Sequence, residues 1–188
     1  MTIYLGAHTD DIELGCGGSI VKDSYGFTFT CTSAFRHLLP EMLNSFKVLG
    51  INHDTKIRQD FQHRNIDRQM LLDELIKIRD KYNPTTVFTH SSFDTHQDHQ
   101  VIHNETLRAF KHCNIIGYQL PWNDLKGSKY TYYKGIDLKK KQEALKCYKS
   151  QRNRTYFNGK YQASLAMVAG QECGKKFAEK FEVIRWID

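Results

Sequence analysis

Two clusters of imidazole and carboxylate side chains in this chain could do chemistry. His8, Asp10 and Asp11 directly follow the apolar run 2–5, and the segment 90–99 holds three histidines and two aspartates. Adjacent carboxylates beside an imidazole are costly, because two like charges close together raise one another's pKa. A divalent cation removes that cost. The first cluster therefore predicts a metal site in which one aspartate binds the metal and the other handles a proton.

Both clusters follow runs that predict buried strands, at 2–5 and at 86–89. Open α/β sheets bind their ligands beyond the carboxyl ends of parallel strands, so the two loops should meet at one edge. Together they supply His8, Asp11 and His99, which are two imidazoles and one carboxylate. Such a set leaves positions for water and substrate, as catalytic zinc sites require. We expect Zn²⁺, with another divalent metal such as Fe²⁺ left open.

Apolar periodicity predicts strands that alternate with helices. Strands are predicted at 2–5, 27–32, 54–57, 86–89, 115–119, 130–136 and 181–187. Helices are predicted at 17–22, 40–49, 66–82, 101–110 and 138–148. This alternation indicates an α/β fold, a three-layer Rossmann-like arrangement with a mostly parallel sheet. The length of 188 residues suits one domain over 1–188.

Composition limits the kinds of molecule that the protein is expected to bind. The net charge is +6, but lysine and arginine are spread along predicted helix faces. That spread argues against nucleic acid and favours a small, anionic substrate. No apolar run approaches the roughly twenty residues that span a bilayer, and we expect no signal peptide before the first strand. Five cysteines without C-x-x-C pairs predict reduced thiols, so we expect no membrane association and a cytoplasmic location, with a homo-oligomer left open.

The sequence also resembles a known family over nearly its whole length. The stretch Ala7-His8-Thr9-Asp10-Asp11-Ile12-Glu13 resembles the A-H-P-D-D-x-E signature of the PIG-L/LmbE family of zinc-dependent N-acetylglucosaminyl deacetylases, with Thr9 in place of proline. The stretch His96-Gln97-Asp98-His99 is similar to the H-x-D-H motif of that family. Similar spacing recurs at 141–151 and 178–181. The resemblance implies a deacetylase that acts on an acetylated amino sugar.

The resemblance also implies roles for individual residues. His96 would face the substrate carbonyl, and Asp98 would hold the His96 ring in one orientation. Arg64 is a candidate for binding a sugar hydroxyl or phosphate, and Asp94 is a second candidate for substrate contact. These two assignments compete with a solvated arginine and a loop-stabilising aspartate.

The sequence therefore predicts a metal-dependent hydrolase that removes the acetyl group from an N-acetylated amino sugar or sugar conjugate, with Asp10 as the general base. Two alternatives stay open. One is a 2-His-1-carboxylate iron enzyme, which has the same ligand types. The other is a non-catalytic sugar- or nucleotide-binding domain of the same fold, although binding alone does not require a general base such as Asp10.

Overall fold

The structure is a computed structural model, which describes residues 1–29, 38–54, 67–121 and 130–187. Within these ranges the strands are β1 (Thr2–Gly6), β2 (Tyr25–Thr28), β3 (Thr86–His90), β4 (Asn114–Tyr118), β5 (Thr131–Gly135) and β6 (Ala178–Arg185). The helices are α1 (Asp11–Cys16), α2 (Leu39–Leu49), α3 (Arg68–Tyr82), α4 (Gln97–Ala109), α5 (Leu138–Leu145) and α6 (Gly159–Glu172).

The strands form one sheet in the order β2-β1-β3-β4-β6-β5. The first four are parallel, whereas β6 runs antiparallel to both β4 and β5. The predicted α/β class with a mostly parallel sheet is confirmed. Since β1 and β3 are parallel neighbours, the loops that follow them leave the sheet at the same edge. That adjacency brings the two chemically active clusters together.

Helices cover both faces of the sheet, because successive strand side chains point to opposite faces. On one face, Ile3 and Val87 pack in a buried apolar cluster with helix residues such as Leu75 and Ile102. On the other face, a second buried cluster is built from Tyr4, Phe88, Ile12, Phe46 and Leu145. The result is the predicted three layers of helix, sheet and helix.

Local signals in the sequence set the ends of several helices. Pro40 lies in the first turn of α2, and Gly50 ends that helix with a left-handed φ of 74°. The Asp67 side chain accepts a hydrogen bond from the N–H of Met70 at 2.9 Å and caps α3. Asn83, also left-handed, ends α3. These helix ends lie within two residues of the predicted ones.

Several segments differ from the prediction, and α4 begins at Gln97, four residues before its predicted start at 101. Instead of a helix at 17–22, α1 begins at Asp11, and a short 3₁₀ turn follows at Gly17–Ser19. Helix α6 was not predicted, because Leu165, Met167 and Val168 are all exposed and the segment lacks a single apolar stripe. The proposed strand at 54–57 lies largely outside the described residues, as does the end of the strand at 27–32.

The described cysteines are all free thiols, namely Cys16, Cys113, Cys147 and Cys173. Among the helices of the described ranges, none is long and apolar enough to cross a membrane.

Candidate metal centre

The side chains of His8, Asp11 and His99 converge beyond the carboxyl ends of β1 and β3. His8 Nδ1 lies 3.1 Å from His99 Nε2 and 3.4 Å from Asp11 Oδ2. His99 Nε2 lies 3.5 Å from the same oxygen. Ligand atoms at about 2.0–2.1 Å from a tetrahedral zinc ion are about 3.3 Å apart. The three predicted ligands thus have the mutual spacing that one tetrahedral ion requires.

A carboxylate lies behind each imidazole and fixes its tautomer. Asp98 Oδ2 lies 3.1 Å from His8 Nε2, and Asp94 Oδ2 lies 2.8 Å from His99 Nδ1. Each carboxylate favours a proton on the nitrogen that faces it, so the other nitrogen of each ring presents a lone pair. Those lone pairs and Asp11 Oδ2 point at one another. This donor set repels itself unless a cation or a proton lies between, so it fits a divalent metal.

The two neighbouring aspartates have opposite electrostatic environments. Burial alone would raise the pKa of Asp11, but the adjacent His99 and His8 outweigh it and hold that pKa well below its ordinary value. Burial, and then the charge of Asp11, raise the pKa of Asp10 to about 6. A carboxylate that stays ionised suits a metal ligand, whereas one that titrates nearer neutrality suits a base.

His96 is held at the start of α4, and its ring stacks on that of His99 with centroids 4.3 Å apart. Its Nδ1 accepts a hydrogen bond from the backbone N–H of Asp98 at 3.2 Å. The proton of the neutral ring therefore lies on Nε2, which can donate to a substrate oxygen. Burial, and then His99, lower the pKa of His96 and favour this neutral form. The side chain is only partly buried, so a substrate can reach it.

The structure shows a contact of Asp98 that was not expected. Its carboxylate was expected to orient His96, and it lies 3.1 Å from Nε2 of His8, a predicted metal ligand. The His96 ring is held through the backbone of Asp98. Asp98 therefore positions both histidines, one with its side chain and one with its main chain.

Asp94 lies beneath the candidate metal centre, and this corrects the suggested substrate contact. The side chain is 1% exposed. One carboxylate oxygen accepts from the backbone N–H of His96 at 2.8 Å, and the other lies 2.8 Å from His99 Nδ1. Because both oxygens are engaged inside the protein, we reassign Asp94 as the residue that orients His99. Arg64, the other substrate candidate, lies outside the described residues.

His90 was not predicted as part of this cluster, although it ends β3 at the sheet edge. Its ring stacks on that of His99, with centroids 3.9 Å apart and an angle of 5° between the planes. His90 Nε2 lies 3.4 Å from Asp11 Oδ2, so Asp11, His90 and His99 form a further cluster of potential ligands. The side chains of His8, His96 and His99 are also close enough together to form such a cluster. The backbone N–H of Ala7 donates to that nitrogen at 3.0 Å. Since its lone pair is already used, His90 is better suited to support the site than to bind the ion.

Tyr148 connects α1 and the loop before it to the segment that follows α5. The Tyr148 hydroxyl donates to Glu13 Oε1 at 2.7 Å and also contacts the carbonyl of Thr9. Both side chains are buried, and burial raises the pKa of Glu13 to about 8. Tyr148 belongs to the similar spacing at 141–151, but its partner could not be read from the sequence.

A pH dependence of stability follows from Glu13. Folded Glu13 holds a proton that the unfolded chain releases above its ordinary pKa of 4.5. The free energy of unfolding therefore falls as pH rises from 4.5 to about 8, by at most about 1.4 kcal/mol per pH unit. Glu13→Gln cannot titrate, so its Tm relative to the wild type should rise over this range in metal-free protein. A Tm difference that is the same at pH 5 and pH 8 would contradict the buried, protonated state.

The fold and the site define a class of α/β proteins that hold metal-ligating side chains beyond the carboxyl ends of parallel strands. The particular family follows from comparison with known sequences. The family model of PIG-L, GlcNAc-PI de-N-acetylase, matches residues 3–110, and the chain belongs to that family.

Similar sequences and solved structures support the assignment to this family. The uncharacterized deacetylase YaiS of Escherichia coli strain K12 is 31% identical over 139 residues, which cover 63% of this chain and 73% of YaiS. The solved structure of the A40926 pseudoaglycone deacetylase Dbv21 is similar with a TM-score of 0.79 and 18% identity, covering 100% of this chain and 98% of that one. The N,N'-diacetylchitobiose deacetylase from Pyrococcus horikoshii gives a TM-score of 0.75 and 17% identity, covering 97% and 83%. The predicted family and enzyme class, a deacetylase, are confirmed.

Proposed function

We propose that this chain is a zinc-dependent N-deacetylase that hydrolyses the acetamide of an N-acetylated amino sugar or sugar conjugate. The observation that carries the proposal is the arrangement of His8, Asp11 and His99 around one point, with Asp10 beside them. Residues 1–188 are proposed to act as one deacetylase domain. The cytoplasmic location and the identity of the metal are parts of this proposal, and they rest on the cysteine pattern and on the ligand types.

Each residue of the proposed site has its own role in amide hydrolysis. His8 Nδ1, Asp11 Oδ2 and His99 Nε2 would hold the ion. At such a site a divalent ion supplies a lowered pKa for water and polarisation of the substrate carbonyl. Asp10 accepts the proton of the attacking water and later returns it to the leaving amine nitrogen. The products are acetate and a free amino sugar.

His96 stabilises the charge that develops on the carbonyl oxygen. Because Nδ1 accepts a hydrogen bond, the proton of the neutral ring is on Nε2, and it can be donated to that oxygen as the carbon becomes tetrahedral. Charge stabilisation of this kind is often the largest single contribution to catalysis. Asp94 and Asp98 keep the imidazoles in their tautomers and take no part in the proton transfer.

Asp10 also separates this proposal from its alternatives. An iron enzyme with two histidines and one carboxylate has no need for a second carboxylate next to the ligand. A domain that only binds sugar has no need for a base with a pKa raised to about 6. Of the three candidates, the deacetylase is the one in which Asp10 has a chemical role.

The substrate class rests on similarity and on charge. The similar solved proteins are named as deacetylases of a diacetylated sugar and of a pseudoaglycone, which supports an acetylated sugar or conjugate here. The net charge of +6 favours a substrate that carries phosphate, and Arg64 remains our candidate for binding it.

The proposal is tested by acetate release. Protein stripped with a chelator and reloaded with Zn²⁺ should release acetate and free amine in equal amounts from at least one of N-acetylglucosamine, diacetylchitobiose and a nucleotide-linked N-acetylhexosamine. We expect the highest kcat/KM for the nucleotide sugar, and a smaller advantage in Arg64→Ala through a higher KM. Reloading with Fe²⁺ under exclusion of oxygen, followed by addition of oxygen with and without substrate, provides the contrast. Oxygen consumption that depends on substrate, without acetate release, would favour the iron enzyme. Binding without any turnover would favour the binding domain.

A further inference from the structure

The carboxylate of Glu182 lies under the loop that carries the second half of the metal centre. Glu182 is in β6, directly opposite Gly117 of β4, and is 7% exposed. Its Oε2 accepts from Ser91 Oγ at 3.0 Å and from the backbone N–H of Ser92 at 2.7 Å. Its Oε1 contacts the hydroxyl of Ser92. A single buried carboxylate thus holds two consecutive loop residues by three hydrogen bonds.

The contacts continue from this loop to the predicted ligand. The backbone N–H of Asp94 donates to the carbonyl of Ser91 at 3.3 Å, and the N–H of Phe93 donates to Ser91 Oγ at 3.2 Å. Asp94 then contacts His99 Nδ1 with one oxygen and the backbone of His96 with the other. The position of Ser91 therefore sets where the Asp94 carboxylate lies against the His99 ring.

The neighbouring residue in β4 leaves room for this arrangement. A Cβ atom at Gly117 would lie 2.9 Å from Glu182 Oε2 and 3.0 Å from the Cα of Ser91. Glycine at this position thus permits the close approach of the carboxylate to the loop. Glu182 lies outside residues 3–110, the part of the chain that the family model matches.

We propose that Glu182 is a positioning residue for the metal centre, which acts through Ser91, Ser92 and Asp94 on the ring of His99. This inference rests on the metal site proposed above. Residues that orient a metal ligand change metal affinity by about ten- to a hundredfold when they are lost. A residue that only joins β6 to the loop would change stability and leave the affinity for metal as it is.

The test measures metal binding directly. In Glu182→Ala we expect the Kd for Zn²⁺, measured by competition with a chromophoric chelator, to rise about tenfold or more. The visible absorption of bound Co²⁺ should change as well. In Glu182→Gln the amide oxygen can accept from Ser91 and Ser92 while its NH₂ donates to the Ser92 hydroxyl, so binding should return close to that of the wild type.

Glu179→Ala is the matched control, because Glu179 is a buried carboxylate on the same strand that pairs with Lys141 Nζ at 2.7 Å. This variant should lower Tm and leave the Zn²⁺ affinity and the Co²⁺ spectrum unchanged. A second measurement compares Glu182→Ala, Asp94→Asn and the double variant. Since both residues act on His99 by one route, the double variant should lose less affinity than the product of the two single losses.

A Glu182→Ala protein with the Zn²⁺ affinity and Co²⁺ spectrum of the wild type would overturn the inference, whatever its Tm. If that variant does not fold, Ser92→Ala takes its place. It removes one of the three contacts and should weaken Zn²⁺ binding several-fold, and unchanged affinity there would also overturn the inference. If the wild-type protein itself binds no metal, the proposed function fails first, so the two failures can be told apart.

Discussion

Replacing Asp10 with asparagine should lower kcat by about 10² or more, while the zinc content stays that of the wild type. Asparagine keeps the shape of the side chain but cannot accept the proton of the attacking water. Asp10 is not one of the three groups that converge on the predicted ion. The loss should therefore fall on the chemical step, and KM should change little.

Asp11→Asn is the matched comparison, because it makes the same chemical change one residue away. Asp11 Oδ2 lies 3.4 Å from His8 Nδ1 and 3.5 Å from His99 Nε2, so its charge is part of the ligand set. This variant should lose zinc as well as activity. Metal analysis and steady-state kinetics on the two purified proteins separate the roles. If Asp10→Asn lost metal and Asp11→Asn kept it, the two roles would be exchanged.

Much of the fold could be predicted because its signals are local. Buried parallel strands produce continuous apolar runs such as 86–89, and helix ends carry Pro40, Gly50 or Asn83. Strand order is different, because it depends on which elements pack together after the chain folds. The antiparallel placement of β6 between β4 and β5 has no local signal. Helix α6 was not predicted, since its exposed apolar residues obscure the apolar stripe that marks an amphipathic helix.

The residues of the candidate site also fall into two groups, those that local sequence signals predict and those that depend on the folded structure. The proposed metal ligands and Asp10 could be predicted from residue types placed directly after two strands. Any sheet with β1 beside β3 brings these residues together. The supporting residues do not follow from the sequence. Asp94 was expected to contact substrate and instead lies against His99, because only the path of the loop decides which way it faces. Glu182 reaches the same loop from a strand 90 residues further along the chain.

Removing the imidazole of His99 should have the largest effect on metal binding. His99→Ala deletes the Nε2 ligand, and it also leaves Asp94 without the ring that its carboxylate contacts at 2.8 Å. Only His8 and Asp11 then remain of the predicted ligands. We expect a folded protein with sharply reduced zinc content after gel filtration, measured by atomic emission, and with no measurable acetate release.

His103→Ala is the control for this variant, because His103 is a buried histidine one turn further along α4. Its Nδ1 donates to the carbonyl of His90 at 2.9 Å, and it is not among the predicted ligands. Loss of that hydrogen bond and the cavity that remains should lower Tm but leave zinc in place. One tightly bound zinc per chain in purified His99→Ala would refute the ligand assignment.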